Sequence, residues 1–187
     1  MTDTITATEV PGYKTGTWVL DPAHSEVTFS VRHMMISKVR GVFGVKSATI
    51  VAGENPLDTT VTASVDVASV DTNDEGRDQH LRSADFFDAE QFPTLDFVST
   101  GVRYEKGDFL VDGDLTIRGI TKPATFEVEF GGFGTDPWGN YKAGATAKTV
   151  INREDFGLTW NAALETGGVL VGKDVTITLD LQGSIQA

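Results

Sequence analysis

The chain has 187 residues, 40% hydrophobic and 22% charged, the composition of a globular protein of single-domain length. Its 15 Lys and Arg against 27 Asp and Glu leave a net charge of −12, which argues against a polyanionic partner and so against nucleic-acid binding. There is no cysteine, which excludes thiol redox chemistry, and a chain of this length buries roughly 70% of its unfolded surface without disulfide staples.

Residues 1–16 carry neither a basic stretch nor an apolar core of the kind that marks a secretory leader, so a flexible N-terminal extension and a cytoplasmic protein are expected, with residues 17–187 as one domain. No apolar run approaches the roughly 18–20 residues that span a bilayer, so no stable membrane insertion is expected. The charge of −12 further predicts weak attraction to anionic membranes, leaving apolar contact as the means of loading from a bilayer.

From residue 26 onward, apolar and polar residues alternate with period 2, the pattern of strands with one buried and one wet face. Val27, Phe29 and Val31 alternate with Glu26, Thr28, Ser30 and Arg32, and Val61, Ala63, Val65 and Val67 with Thr60, Thr62, Ser64 and Asp66. Phe109, Val111, Leu115 and Ile117 follow the same rule, as do Phe126, Val128 and Phe130, and finally Val175, Ile177, Leu179 and Leu181. Turn signals at 52–56, 105–108 and 136–140 reverse the chain between these runs, predicting roughly eight antiparallel strands. His33 to Gly44 and Asp74 to Gln91 break the alternation and are expected as non-sheet inserts, the second with a short helix around residues 77–82.

Ala143, Ala145, Ala147 and Thr149 share one face of a strand, and Gly144, Thr146 and Lys148 the other. In a closed sheet of about eight strands, small inward side chains leave room for one small ligand, or are covered by Phe29, Phe126 and Phe130 from facing strands. A cluster of Met34, Met35, Phe43, Phe86, Phe87 and Phe92 flanks the inserts, suited either to an adaptable apolar surface or to ordinary core packing.

His33 continues the inward phase of Val27, Phe29 and Val31, which gives it either a structural hydrogen bond in the core or a contact to the polar head of an apolar ligand. The three histidines have no metal-ligand spacing. Asp21, His24 and Ser25 supply the residue types of a hydrolase triad, but neighbours this close in sequence do not form the relay, and no Gly-x-Ser-x-Gly elbow occurs. The glycine-rich segments 131–134 and 167–168 lack the Lys and following helix of a phosphate loop and read as turns or bulges.

Several segments carry a resemblance: Trp18 to Ser25, Val31-Arg-His33, Gly41-Val-Phe43-Gly44, Arg77-Asp78-Gln-His80-Leu81 through Asp85-Phe86-Phe87, Phe92-Pro93 to Phe97, Gly113 to Pro123, Ile151-Asn152-Arg153 to Leu158, and Val171 to Val175. In this order they resemble the YceI-like family, lipocalin-like proteins associated with binding polyisoprenoid lipids, over nearly all of residues 18–184. The resemblance implies an all-β fold, an antiparallel eight-stranded lipocalin-like barrel with short helical inserts and an internal apolar tunnel. It also implies a long isoprenoid, isoprenoid quinone or fatty chain as ligand, carried or sequestered without catalysis, and no metal or covalent cofactor. Carried onto this chain, the tunnel wall comprises Phe29, Val31, His33, Phe43, Leu81, Phe86, Phe87, Phe97, Phe126 and Phe130, with His33, Arg77 and His80 as polar contacts to a head group. An incompletely covered barrel mouth would offer a surface for a homodimer. Two other readings stay open: an enzyme acting on an isoprenoid lipid, with His33, His80 and Asp78 as acid/base groups, and a solid-core structural protein.

Overall fold

The computed structural model describes residues 3–187, so Met1 and Thr2 of the expected extension lie outside the described residues. Among them the strands are β1 (Gly16–Leu20), β2 (Glu26–His33), β3 (Ser37–Phe43), β4 (Val45–Ala52), β5 (Thr60–Asp66), β6 (Thr94–Glu105), β7 (Asp108–Ile117), β8 (Ile120–Thr135), β9 (Tyr141–Asn152) and β10 (Val171–Ile185), with one helix, α1 (Glu75–Arg82). Hydrogen-bonded neighbours run β1-β4-β5-β6-β7-β8-β9-β10, and β1 pairs back onto β10 to close an eight-membered antiparallel barrel. The hairpin β2–β3 extends this wall beyond β1 and β4: β10 pairs with β1 near its C-terminal end and with β2 from Asp180 back to Val171.

The break between β1 and β2 has a local cause. Pro22 cannot donate to a ladder, and Asp21 accepts a hydrogen bond from the Ala23 amide at 3.0 Å, which turns residues 22–24 into a single 3-10 turn before the chain resumes its extended course. Ser25 then ties the two pieces together by exchanging hydrogen bonds with the backbone of Gln182 at 3.2 and 3.1 Å.

The stretch 33–44, expected to leave the sheet, is instead mostly strand β3, in register with β2 from Val27↔Phe43 to His33↔Ser37. Its inward series is Val39, Gly41 and Phe43, and the glycine hides the alternation from a sequence reading. A Cβ at Gly41 would collide with the Phe29 ring, which lies across that position on the neighbouring strand. The second insert forms as expected. Asp74 caps α1 by accepting from the Arg77 amide at 3.0 Å, and Ser83 ends it by donating to the His80 carbonyl at 2.6 Å.

The N-terminal segment, read from sequence as loose, lies docked over one end of the barrel. Ile5 and Val10 are buried against Phe109, with Tyr13, Tyr104 and Phe133 packed around them. The Asp3 amide donates to the Tyr104 carbonyl, Tyr13 to the Gly53 carbonyl and Tyr141 to the Gly12 carbonyl, each at 2.7 Å. Gly12 has φ +86° and sits where a side chain would meet Phe133, so the close approach requires glycine. Only two apolar residues in a Thr-rich stretch anchor this segment, which is why composition alone reads as a tail.

Candidate ligand-binding site

At the opposite end the barrel holds a cavity of about 420 Å³, within the roughly 300–1,000 Å³ typical of small-molecule sites. The inward residues of β2 (Val27, Phe29, Val31, His33) and of β10 (Val171, Val175, Ile177) form one wall, and Leu95, Ile117 and Ile151 the other. The roof comes from the two connections at this end. Leu81, Phe86 and Phe87 descend from α1 and the turn after it, and Leu158, Trp160 and Leu170 from the loop between β9 and β10. Phe43 meets Phe29 at 5.4 Å and Phe87 at 5.5 Å between ring centroids, joining wall to roof through aromatic contacts.

Polar groups on this lining cluster toward the start of α1 and the end of β2: Arg32, His33, Asp74, Arg77 and His80. Arg77 donates to the Thr72 hydroxyl at 2.8 Å and carbonyl at 2.9 Å, and Asp78 accepts from the Thr72 amide and hydroxyl at 2.8 and 2.6 Å. This network pins the first turn of α1 to the segment before it and holds the guanidinium at the rim. His80 is held by Asp85, its Nε2 2.9 Å from a carboxylate oxygen, and its ring packs edge-on between Phe86 and Trp160 at 5.1 and 4.6 Å.

Arg153 has a different role from the acid pairing that its Glu- and Asp-flanked sequence suggests. It is 3% exposed and makes no ion pair among the described residues. Instead Nε donates to the Gly172 carbonyl at 2.7 Å, Nη1 to Leu158 and Trp160 at 2.5 and 3.0 Å, and Nη2 to Val171 at 3.3 Å. One side chain thus satisfies the carbonyls of both legs of the roof loop. Burial pushes the guanidinium below its ordinary pKa, with partial relief from Glu154.

Of the twelve residues expected as ligand contacts, Phe29, Val31, His33, Phe43, Arg77, His80, Leu81, Phe86 and Phe87 line this one cavity. The other three lie outside it. Phe97 and Phe126 pack edge-to-face at 5.2 Å and form a solid layer one step deeper along β6 and β8. Phe130 is 42% exposed and turns toward the other end, edge-on to Phe109 and stacked on Phe133. The small-residue strand opens no part of this cavity: Ala147 is buried, and Ala143, Gly144, Ala145 and Thr146 line a separate, open depression with Phe130 and Leu181. The residue types of a hydrolase triad are likewise not aligned, since His24 contacts Asp21 at 2.6 Å while Ser25 is engaged with Gln182.

A family model described as the YceI-like domain matches residues 18–183. The chain belongs to the YceI-like family. A UPF0312 protein of Staphylococcus aureus strain MSSA476 is 41% identical over 170 residues, covering 90% of this chain and 97% of that one. Among solved structures, BcnA of Burkholderia cenocepacia is similar with a TM-score of 0.75 at 24% identity, over 87% of this chain and 98% of that one. A polyisoprenoid binding domain from Saccharophagus degradans is similar with a TM-score of 0.61 at 16% identity, over 90% of this chain and 98% of that one. Likenesses at these identities establish the barrel fold.

In this YceI-like chain, sequence reasoning misses more than half of the wall, for two reasons. Val27, Val175 and Ile177 carry the period-2 signal and could have been named from it. Leu158, Trp160 and Leu170 sit in an irregular loop with no periodicity, and only the carbonyl-gathering Arg153 shows that the loop folds inward.

Proposed function

We propose that this protein binds a long apolar chain, a polyisoprenoid, an isoprenoid quinone or a related lipid, inside the barrel, and sequesters or transports it without catalysis. The observation that carries the reading is the 420 Å³ cavity, walled by aliphatic and aromatic side chains and rimmed on one side by Arg77 and His33. A chain threads into the apolar part and leaves its polar head at that rim. Membership of the YceI-like family and the fold shared with a polyisoprenoid binding domain support the same reading.

Burial of a hydrocarbon chain contributes about 0.8 kcal/mol per carbon, so about four isoprene units of five carbons can offset even the upper end of the roughly 4–15 kcal/mol cost of association. Affinity then rises with chain length until the cavity is full. The acid/base alternative finds less support, because Asp78 faces Thr72 and His80 faces Asp85, and the two do not converge on a common point of the wall.

The test is native mass spectrometry of the gently purified protein, followed by solvent extraction and titration with prenyl alcohols of increasing length. A released prenyl or acyl chain, or saturable uptake that Val175→Trp abolishes by filling the cavity, is the expected result. A protein that stays empty when offered such chains at micromolar concentration overturns the proposal. Conversion of a prenyl substrate that is lost in His33→Ala and His80→Ala would replace binding with catalysis.

A further inference from the structure

We infer that the β2–β3 hairpin is a docking element for anionic lipid bilayers, with an apolar tip that enters the bilayer and a basic collar that holds the lipid phosphates. The inference extends the proposed function, because it supplies a route by which an apolar chain reaches the cavity, but it rests on separate observations.

The tip is the three-residue loop Met34-Met35-Ile36, whose side chains are 44%, 55% and 80% exposed. Three consecutive exposed apolar residues on a hairpin are a liability in water unless something covers them. Met34 and Met35 also hold positive φ, 53° and 63°, a conformation that favours Gly or Asn over a long side chain. The tip is nevertheless fixed in place: the Met34 amide donates to the Leu170 carbonyl at 2.7 Å, tying it to the roof loop. Both strands lead from the tip directly into the cavity wall, through His33 and Val31 on one side and Val39 on the other.

Behind the tip the hairpin is basic: Lys38 and Arg40 lie on its outer face, and Arg32 shares that face and reaches the cavity rim. Arg32 lies opposite Lys38 across the two strands, and Arg40 lies opposite Ser30. Like charges directly opposite destabilise a strand pair, and none of the three has a carboxylate within ion-pair distance among the described residues. In a protein of net charge −12, the whole stretch between Glu26 and Glu54 contains no acidic residue. Of the acids near this end, Asp74 caps α1, Glu75 lies 3.6 Å from Arg82 and Glu154 lies 3.4 Å from Lys173, while Glu165 in the roof loop and Asp174 on β10 have no ion-pair partner among the described residues and lie off the hairpin. At physiological salt the Debye length is about 8 Å, so acids at the far end of the barrel do not cancel the collar. Net charge therefore misstates how this end of the molecule meets a membrane. A basic residue near an anionic surface is worth about fivefold in binding.

The experiment is flotation of the full chain with vesicles of phosphatidylcholine alone or with 30 mol% phosphatidylserine, at low and high salt, run beside prenyl-chain uptake from solution. The expected result is binding to the phosphatidylserine vesicles that is lost at 0.5 M salt. It should fall at least tenfold in Lys38→Gln/Arg40→Gln and in Met35→Ser/Ile36→Ser, with uptake from solution unchanged. Equal binding to both vesicle types, no binding, or binding that neither variant alters overturns the inference. So does a concentration-dependent dimer in sedimentation that the tip variant dissolves, because a second copy would then be the occupant. Vesicle binding without uptake would leave the docking element standing and remove the proposed ligand, so the two failures are distinguishable.

Discussion

One half of the barrel interior, around Phe97, Phe126 and Phe109, is packed solid and closed by the docked N-terminal segment, whereas the other half, around Phe29, Phe43 and Phe87, is equally aromatic and hollow. Amino-acid type does not separate them. What differs is the company each ring keeps. Glycine lets a ring lie across a neighbouring strand at both ends, Gly113 beneath Phe97 and Gly41 beneath Phe29, but at the solid end the next neighbours are strands and the docked N-terminal segment. At the hollow end the rings stand against a roof that comes from connections, not strands, and a roof can be lifted off a wall in a way that a barrel layer cannot.

The sharpest way to break this contrast is to hollow the solid half. Phe126→Ala should cost about 3–5 kcal/mol, read as a lower denaturant midpoint, while Phe87→Ala should cost less than half as much because its ring already borders empty space. The same Phe126→Ala protein should accept a longer prenyl chain if the Phe97–Phe126 layer is the floor that limits ligand length. Next in size, Arg153→Met should destabilise by about 3 kcal/mol, since it leaves several buried carbonyls without donors. Its distinguishing mark is faster hydrogen exchange confined to residues 158–171. Ile5→Ser should cost about 2 kcal/mol through lost burial and leave uptake unchanged, because Ile5 belongs to the closed end.

The smallest expected effect lies on the outer wall. Arg103 makes a two-pronged contact to Asp112 at 2.6 and 2.9 Å, and this contact holds the Asp112 carboxyl below its usual pKa. A lowered folded-state value means that the stabilisation is fully present above the unfolded carboxylate pKa of about 3.9 and is lost as pH falls through the lowered value. Both partners are about a third exposed, so solvent screening makes this the smallest of the deficits. Asp112→Asn should show that deficit at pH 7 and none in strong acid. A deficit independent of pH would assign the effect to packing.

The barrel itself was legible from period-2 alternation because β5, β7, β8 and β10 alternate apolar and polar residues along their length. β3 was not, because the ring that fills its inward middle position belongs to Phe29 on a different strand, and sequence records only the glycine that makes room. The site was legible where strands build it and where the resemblance identifies the segments around α1. It was illegible in the roof loop, where Trp160 and Leu170 reach the cavity through hydrogen bonds that Arg153 makes across 19 residues of chain. The docked N-terminus was missed for a related reason: its anchoring bonds are long-range, from Tyr104, Gly53 and Tyr141, and leave no periodic trace nearby.

Barrel closure leaves one strand edge unpaired. β1 closes onto β10, but among the described residues the outer edge of β3 is paired only at the Val42–Asp71 bridge. A bare edge is where a neighbouring molecule adds its own strand, the first step of domain swapping and of fibril growth. Here the edge is short, ends in an irregular loop and carries Lys38 and Arg40. A second copy aligned on it would bring lysine and arginine against its own, a repulsion that opposes edge-to-edge pairing at the open seam beside the cavity.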